Sequence, residues 1–190
     1  MYGAVAQLVA HLHGMEGVRG SNPLSSTFRG GFATRTPYGA GVIFGEASVV
    51  VTATPDEALA LLWDLERYRE ADHKIGRIIS AQPDGGDLVV RFVPKMRGLP
   101  GPPVTQRLRR TGAHRIDISD EPGSWVSKVQ TFSGFLIAEP TDGGTRVTHR
   151  EQLDFHGPTA RVLERSLRGW LAKDVEAEVV RIGLLLGEHR

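Results

Sequence analysis

The C-terminal segment carries the pattern that most limits what this chain can fold into. Between about residues 158 and 186, large apolar residues recur at helical spacing, at Leu163, Leu167, Trp170, Leu171, Val175, Val179, Ile182 and Leu186. Charged residues of this segment, such as Arg165 and Lys173, lie outside the apolar stripe. A helix this long, with one continuous apolar face, must bury that face against another layer of structure. We therefore predict a long C-terminal helix that packs on a sheet.

Six strand-like segments precede this helix. They are predicted at 76–82, 87–96, 104–111, 113–119, 124–139 and 145–155, with Gly- and Pro-rich turns between them. The connections are short, which favours antiparallel hairpins over crossovers. The segment 124–139 is apolar in both alternating registers, so its inner face cannot be assigned from the sequence.

A further strand and two short helices are predicted ahead of this series. Residues 46–53 are rich in β-branched side chains, which favour a strand. Thr54, Pro55 and Glu57 then form the pattern of a capping box, which predicts the start of a helix. A second helical stretch is predicted at 65–73. The predicted fold is α+β: an antiparallel sheet of about seven strands, curved and wrapped around the C-terminal helix.

Elements in this order resemble the START-like, or polyketide cyclase and dehydrase, superfamily. The resemblance rests on W-D-L-E-R-Y at 63–68, F-L-I-A-E-P at 135–140 and G-G-T-R-V-T at 143–148, and it covers about residues 45–186. It implies a helix-grip fold, in which the sheet and the long helix enclose a small, largely apolar ligand. It does not imply which ligand is bound or whether a reaction takes place.

Alternation along the strands predicts which side chains point into that space. The inner set is Leu88, Val90, Phe92 and Met96 on one strand, Val104, Gln106 and Leu108 on the next, His114, Ile116 and Ile118 on the third, and Val147, His149, Glu151, Leu153 and Phe155 on the last. His149 and Glu151 lie two residues apart on one face, so the carboxylate is expected to raise the pKa of the imidazole. Three roles are open for this pair: an internal ion pair, a polar anchor for a ligand, or an acid/base pair.

The segment 97–103, R-G-L-P-G-P-P, is predicted to form an entrance loop. Gly98, Leu99 and Pro100 resemble the gate loop of the abscisic-acid receptors, although no other motif of those receptors is evident. A rigid turn is the alternative. The full set of candidate ligand-binding residues is Leu88, Val90, Phe92, Leu99, Pro100, Gln106, Leu108, His114, Ile116, His149, Glu151 and Trp170. The candidate catalytic residues are His149 and Glu151.

The first 41 residues differ from the rest of the chain. They hold 8 of the 23 glycines and show no sustained period, so we predict a disordered N-terminal extension followed by a START-like domain at 42–190. V-A-Q-L-V at 5–9 and G-S-N-P at 20–23 resemble the translated D-arm and T-arm of a bacterial transfer-RNA gene. The resemblance covers about residues 4–27 and implies that the true start lies downstream, near Val42.

The composition limits which partners and which cellular location are expected for this protein. The net charge is +1, so bulk charge does not suggest a nucleic-acid partner. The absence of cysteine excludes disulfides and thiolate chemistry, and fits a cytoplasmic protein. No 18-residue apolar run is present to span a membrane. We expect no cofactor, no metal site, and a monomer or homodimer.

Three functions are compatible with these features. The leading hypothesis is binding or transport of a small hydrophobic molecule, such as a lipid or polyketide. The second is a polyketide cyclase, aromatase or dehydratase that uses His149 and Glu151 as acid and base. The third is an interaction or regulatory module, suggested only by the C-terminal helix and by arginines on the outer strand faces, among them Arg107, Arg109 and Arg115.

Overall fold

A computed structural model describes residues 41–187 of the chain. The predicted N-terminal extension lies outside the described residues, apart from Gly41. Within them, the strands are β1 (Val42–Val51), β2 (Ile75–Asp84), β3 (Asp87–Met96), β4 (Leu99–Pro100), β5 (Val104–Arg110), β6 (Arg115–Asp120), β7 (Gln130–Thr141) and β8 (Gly144–Phe155). The helices are α1 (Pro55–Trp63), α2 (Leu65–Tyr68) and α3 (Ala160–Gly187), with a 3-10 turn at Trp125–Lys128.

The strands form one antiparallel sheet in the order β1-β8-β7-β6-β5-β3-β2, and β4 pairs with the end of β3. The first and last strands are neighbours, with Val42 opposite Asp154 and Val51 opposite Thr145. Helix α3 packs on β1 and β8, and α1 packs on β7 and β8. This is the predicted helix-grip architecture, with the sheet curved around the C-terminal helix.

Local sequence signals account for the two short helices. Thr54 caps α1 through its side chain, and Glu57 completes the capping box by accepting a hydrogen bond from the Thr54 backbone N–H at 2.7 Å. Helix α2 ends at Tyr68, earlier than the predicted 65–73, and a turn carries the chain from there to β2. Arg181 of α3 holds this turn by donating to the Ala71 carbonyl at 2.6 Å.

Alternating burial confirms the predicted inner face of the last strand. Along β8, every second side chain from Val147 to Phe155 is buried. The equivalent set on β3, Leu88, Val90 and Phe92, is buried as well. Two predictions are wrong. The segment 124–139 is not one strand, because Ser124 caps a 3-10 turn before β7 begins. His114 does not point inward, because it lies in the exposed turn before β6.

The long helix touches the sheet backbone at one glycine. A Cβ atom added to Gly45 of β1 would lie 2.9 Å from the Leu171 carbonyl oxygen and 3.0 Å from both Ala172 Cα and Val175 Cβ. Real Cβ atoms do not approach backbone this closely, so any side chain at this position must displace α3 from the sheet. Gly45 therefore sets the depth at which the helix sits.

We expect Gly45→Ala to lower the free energy of unfolding by about 1–3 kcal/mol, the usual range for overpacking a dense interior. Gly169→Ala is the matched control, because nothing lies within 4 Å of a Cβ at this position in α3. It should leave stability unchanged or raise it by up to about 1 kcal/mol, since alanine favours helix. Chemical denaturation of both variants measures this. A Gly45→Ala variant as stable as Gly169→Ala would contradict the packing argument.

Candidate functional site

A cavity of about 70 Å³ lies between the inner face of the sheet and helix α3. Its apolar wall comes from four strands and the helix, through Phe92, Pro94, Met96, Val104, Phe132, Leu153, Trp170 and Leu171. Its polar lining comes from Asp72, Lys74, Gln106, Asp120, Gln130 and Glu151. Lys95, which is exposed, also lines it, so the cavity reaches the surface at the end of β3. Such a mixture of apolar surface and a few convergent polar groups is typical of small-molecule sites.

A second void of about 30 Å³ shares part of this lining and extends toward α1 and α2. Asp72, Phe92, Gln106, Phe132 and Glu151 border both spaces. Pockets for drug-sized ligands usually enclose roughly 300–1,000 Å³. The space present here is large enough only for a small molecule, and a larger one requires side chains such as Phe132 or Met96 to move.

Lys74 forms the centre of a buried ion cluster at the polar end of the cavity. Its ammonium lies 3.0 Å from Asp72, 2.8 Å from Asp174, 2.6 Å from Glu178 and 3.3 Å from Glu151. The four carboxylates come from the turn before β2, from α3 and from β8. They outweigh the effect of burial, which alone would lower the pKa of Lys74, and hold that pKa well above its usual value. Lys74 is therefore a fixed cation and not a nucleophilic amine.

His149 is completely buried beside this cluster. Its Nδ1 lies 3.0 Å from the Phe135 carbonyl oxygen, and its Nε2 lies 3.4 Å from Glu151 and 3.3 Å from Glu178. Burial opposes protonation of the imidazole, but the carboxylates of Glu178 and Glu151 outweigh it and raise the pKa of His149 to about 9. The histidine is thus charged at neutral pH and pairs with two carboxylates.

Two further groups respond to the same negative charge. Tyr68 donates its hydroxyl hydrogen to Glu178, and burial together with the Glu178 carboxylate keeps the pKa of the phenol well above its usual value. Burial and Glu178 also raise the pKa of Asp72, against the opposing effect of Lys74. At the cavity wall, Asp120 accepts from the Phe132 N–H at 2.7 Å and from the Gln106 side chain at 3.4 Å.

By distance, two sets of these groups could hold a metal ion. His149, Glu151 and Glu178 each offer a ligand atom within 4.8 Å of the others, and so do Asp72, Asp174 and Glu178. In the second set the Lys74 ammonium already lies 2.6–3.0 Å from each carboxylate and takes the place of a cation. In the first set, a metal would have to displace the proton that Glu151 and Glu178 stabilise on His149.

The structure brings only part of the predicted ligand set to the cavities. Phe92, Gln106, Glu151 and Trp170 line the main cavity, and Val90 and Leu108 line the smaller void. Leu88, Ile116 and His149 are buried but border neither space. The predicted entrance loop is a tight β3–β4 hairpin, where Leu99 is half-buried, Pro100 is exposed, and neither lines the cavities.

Sequence reasoning missed Tyr68, Asp72, Lys74, Asp174 and Glu178. Glu178 carried a usable signal, because it stands three residues after Val175 and four before Ile182, on the buried stripe of α3. A charged residue at such a position demands a buried partner. Asp72 and Lys74 lie between α2 and β2, where no periodic pattern points to their burial.

The arginines on the outer faces are paired with acids. Arg107 contacts Asp84, Asp87 and Glu121, and Arg109 also contacts Asp87. Arg115 pairs with Asp117 at 2.6 Å and stacks over the Phe135 ring. The basic sequence run is therefore largely neutralised by neighbouring strands.

A curved antiparallel sheet that holds a long helix over a partly polar cavity defines a helix-grip protein. Residues 45–184 match the family described as "Polyketide cyclase / dehydrase and lipid transport". This match spans well over half of the chain, so the protein belongs to that family.

Solved structures share the fold at low sequence identity. The protein TTHA0849 from Thermus thermophilus has a TM-score of 0.60 and 16% identity, covering 75% of this chain and 96% of that one. The Zhui aromatase/cyclase from Streptomyces sp. R1128 has a TM-score of 0.57 and 18% identity, covering 74% and 93%. The human StarD13 lipid transfer and protein localization domain has a TM-score of 0.50 and 18% identity, covering 76% and 77%.

No curated protein matches this chain. In residues 41–187, no helix combines the length and apolarity needed to cross a membrane.

The cluster makes stability depend on pH in a defined direction. Because the pKa of His149 is raised from 6.5 to about 9, protonation stabilises the fold fully below about pH 6.5, and the contribution is lost as pH rises through 9. We expect the free energy of unfolding to fall by about 3 kcal/mol between pH 6.5 and 9.5, because each tenfold change in proton affinity corresponds to about 1.36 kcal/mol. His149→Gln should abolish this decline, whereas His114→Gln, at an exposed position, should keep it. Denaturation curves across this range measure the slope. An unchanged decline in His149→Gln would disprove the assignment.

Lys74→Met should destabilise the protein by about 3–5 kcal/mol, because it leaves buried carboxylates without their central cation. Lys173→Met, at an exposed position on α3, is the control and should change stability by less than about 0.5 kcal/mol. Urea unfolding at pH 7 measures both. Equal stability of the two variants would show that the carboxylates do not depend on Lys74.

Proposed function

We propose that this protein binds a small, largely apolar molecule in the cavity between the sheet and helix α3. One observation carries the proposal: an apolar wall on four strands and the helix meets the buried carboxylate of Glu151 at the polar end of the same space. Apolar walls supply affinity through burial, and a few polar groups fix orientation. The family description and the fold shared with the StarD13 lipid transfer domain support this function.

Val104 offers a way to test it without disturbing the ion cluster. Its buried side chain lines the cavity at the first residue of β5. We expect Val104→Phe to fill part of the space and to abolish binding of small aromatic probes, while the fold is kept. Val180→Phe is the control, since Val180 is exposed on α3.

The measurement has two parts. Organic extracts of the purified protein, analysed by mass spectrometry, should contain a ligand that is absent from the Val104→Phe variant. Calorimetric titration with p-cresol should detect binding to the wild type and to Val180→Phe but not to Val104→Phe. Equal binding by all three proteins would place the ligand elsewhere and overturn the proposal.

A second candidate is an acid/base enzyme of the cyclase, aromatase or dehydratase type, as the Zhui structure and the family description suggest. It is favoured by one observation, the contact of Glu151 with both the cavity and His149. In this function Glu151 would accept the proton from the substrate, and His149, which does not border the cavity, would position the carboxylate. Turnover of a poly-β-keto substrate that Glu151→Gln abolishes, with binding retained, would establish it.

A further inference from the structure

The polar end of the cavity holds one unused hydrogen-bond acceptor. Glu151 is 3% exposed, and its Oε2 accepts no hydrogen bond within the described residues. Lys74 Nζ lies 3.3 Å away but does not donate to it. An ammonium has three hydrogens, and Asp72, Asp174 and Glu178 lie closer to this one, at 2.6–3.0 Å. Lys74 donates two of these hydrogens to Asp174 and Glu178, and Asp72 is closer to the third than Glu151 is. Glu151 Oε2 is therefore left for a donor from the cavity.

Charge around this end disfavours an anionic ligand. Asp72, Asp174, Glu178 and Glu151 surround Lys74, and the only other cation that contacts this cluster in residues 41–187 is His149. Asp120 adds a further carboxyl group to the cavity lining. Because four carboxylates already surround Lys74, it is a poor counter-ion for a ligand carboxylate, which would also face Glu151 and Asp120.

We infer that the cavity selects an apolar ligand that ends in a hydroxyl group, an alcohol or a phenol, whose hydrogen is donated to Glu151 Oε2. The inference rests on the proposed binding function and adds the chemical class of the ligand. A hydroxyl satisfies the acceptor without burying another charge, whereas an ammonium would lose its hydration on entering the cavity. A carboxylate terminus, as in a fatty acid, is disfavoured because Glu151 and Asp120 line the cavity that it would enter.

The test compares three probes of equal body and different terminus on the full wild-type chain: p-cresol, p-xylene and p-toluate. Titration followed by protein NMR gives the three dissociation constants at pH 7. We expect p-cresol to bind about tenfold more tightly than p-xylene, as a satisfied buried acceptor predicts, and p-toluate to bind more weakly than both. Equal binding of p-cresol and p-xylene, or tighter binding of p-toluate, would overturn the inference while leaving the binding function in place. Failure of all three probes to bind would overturn both.

Glu151→Met then assigns the preference to one residue. The substitution removes the acceptor, while Lys74 keeps three carboxylate partners and His149 keeps Glu178. We expect the tenfold advantage of p-cresol to fall below about twofold, since no unsatisfied carboxylate remains for its hydroxyl. Glu139→Gln, at an exposed position on β7, should bind all three probes as the wild type does. A preference that survives in Glu151→Met would overturn the role of Glu151. The wild-type series decides the ligand class even if this variant does not fold.

Discussion

The buried ammonium of Lys74 holds together the elements that enclose the cavity. It draws together Asp72 before β2, Glu151 on β8, and Asp174 and Glu178 on α3. Burying so many charges is costly, and replacing such clusters by apolar residues often stabilises a protein. Their presence at the end of the cavity therefore fits a functional role better than a purely structural one. The hydrogen bond of Arg181 to Ala71 extends the same junction along α3.

The sequence predicted the architecture because its elements have strong periods. The helix expected at 158–186 is found at Ala160–Gly187, and the strand expected at 87–96 is found over the same residues. Segment 124–139 was misread because apolar residues in both registers hide the point where a Ser124-capped turn gives way to β7. The error at His114 arose from extending the alternation one residue beyond the start of β6.

The site was only half predictable. Alternation along β8 identified His149 and Glu151, and the carboxylates of Glu178 and Glu151 raise the pKa of His149 in the direction that the sequence suggested. Asp72 and Lys74 belong to a turn, and turns carry no period from which burial can be read. The role of Glu178 depends on a partner about a hundred residues away, which a local pattern cannot reveal. Charges that neutralise each other across the fold become visible only in three dimensions.

The pairing of the first and last strands has a consequence for synthesis of the protein. Strand β1 pairs with β8 and packs against α3. Both partners lie more than ninety residues further along the chain. Long-range pairing of this kind slows folding, since the loop must close before the contacts form. Until β8 and α3 have left the ribosome, β1 cannot pair with β8, and the cavity lacks the walls that β8 and α3 supply. The cavity is therefore complete only in the finished chain.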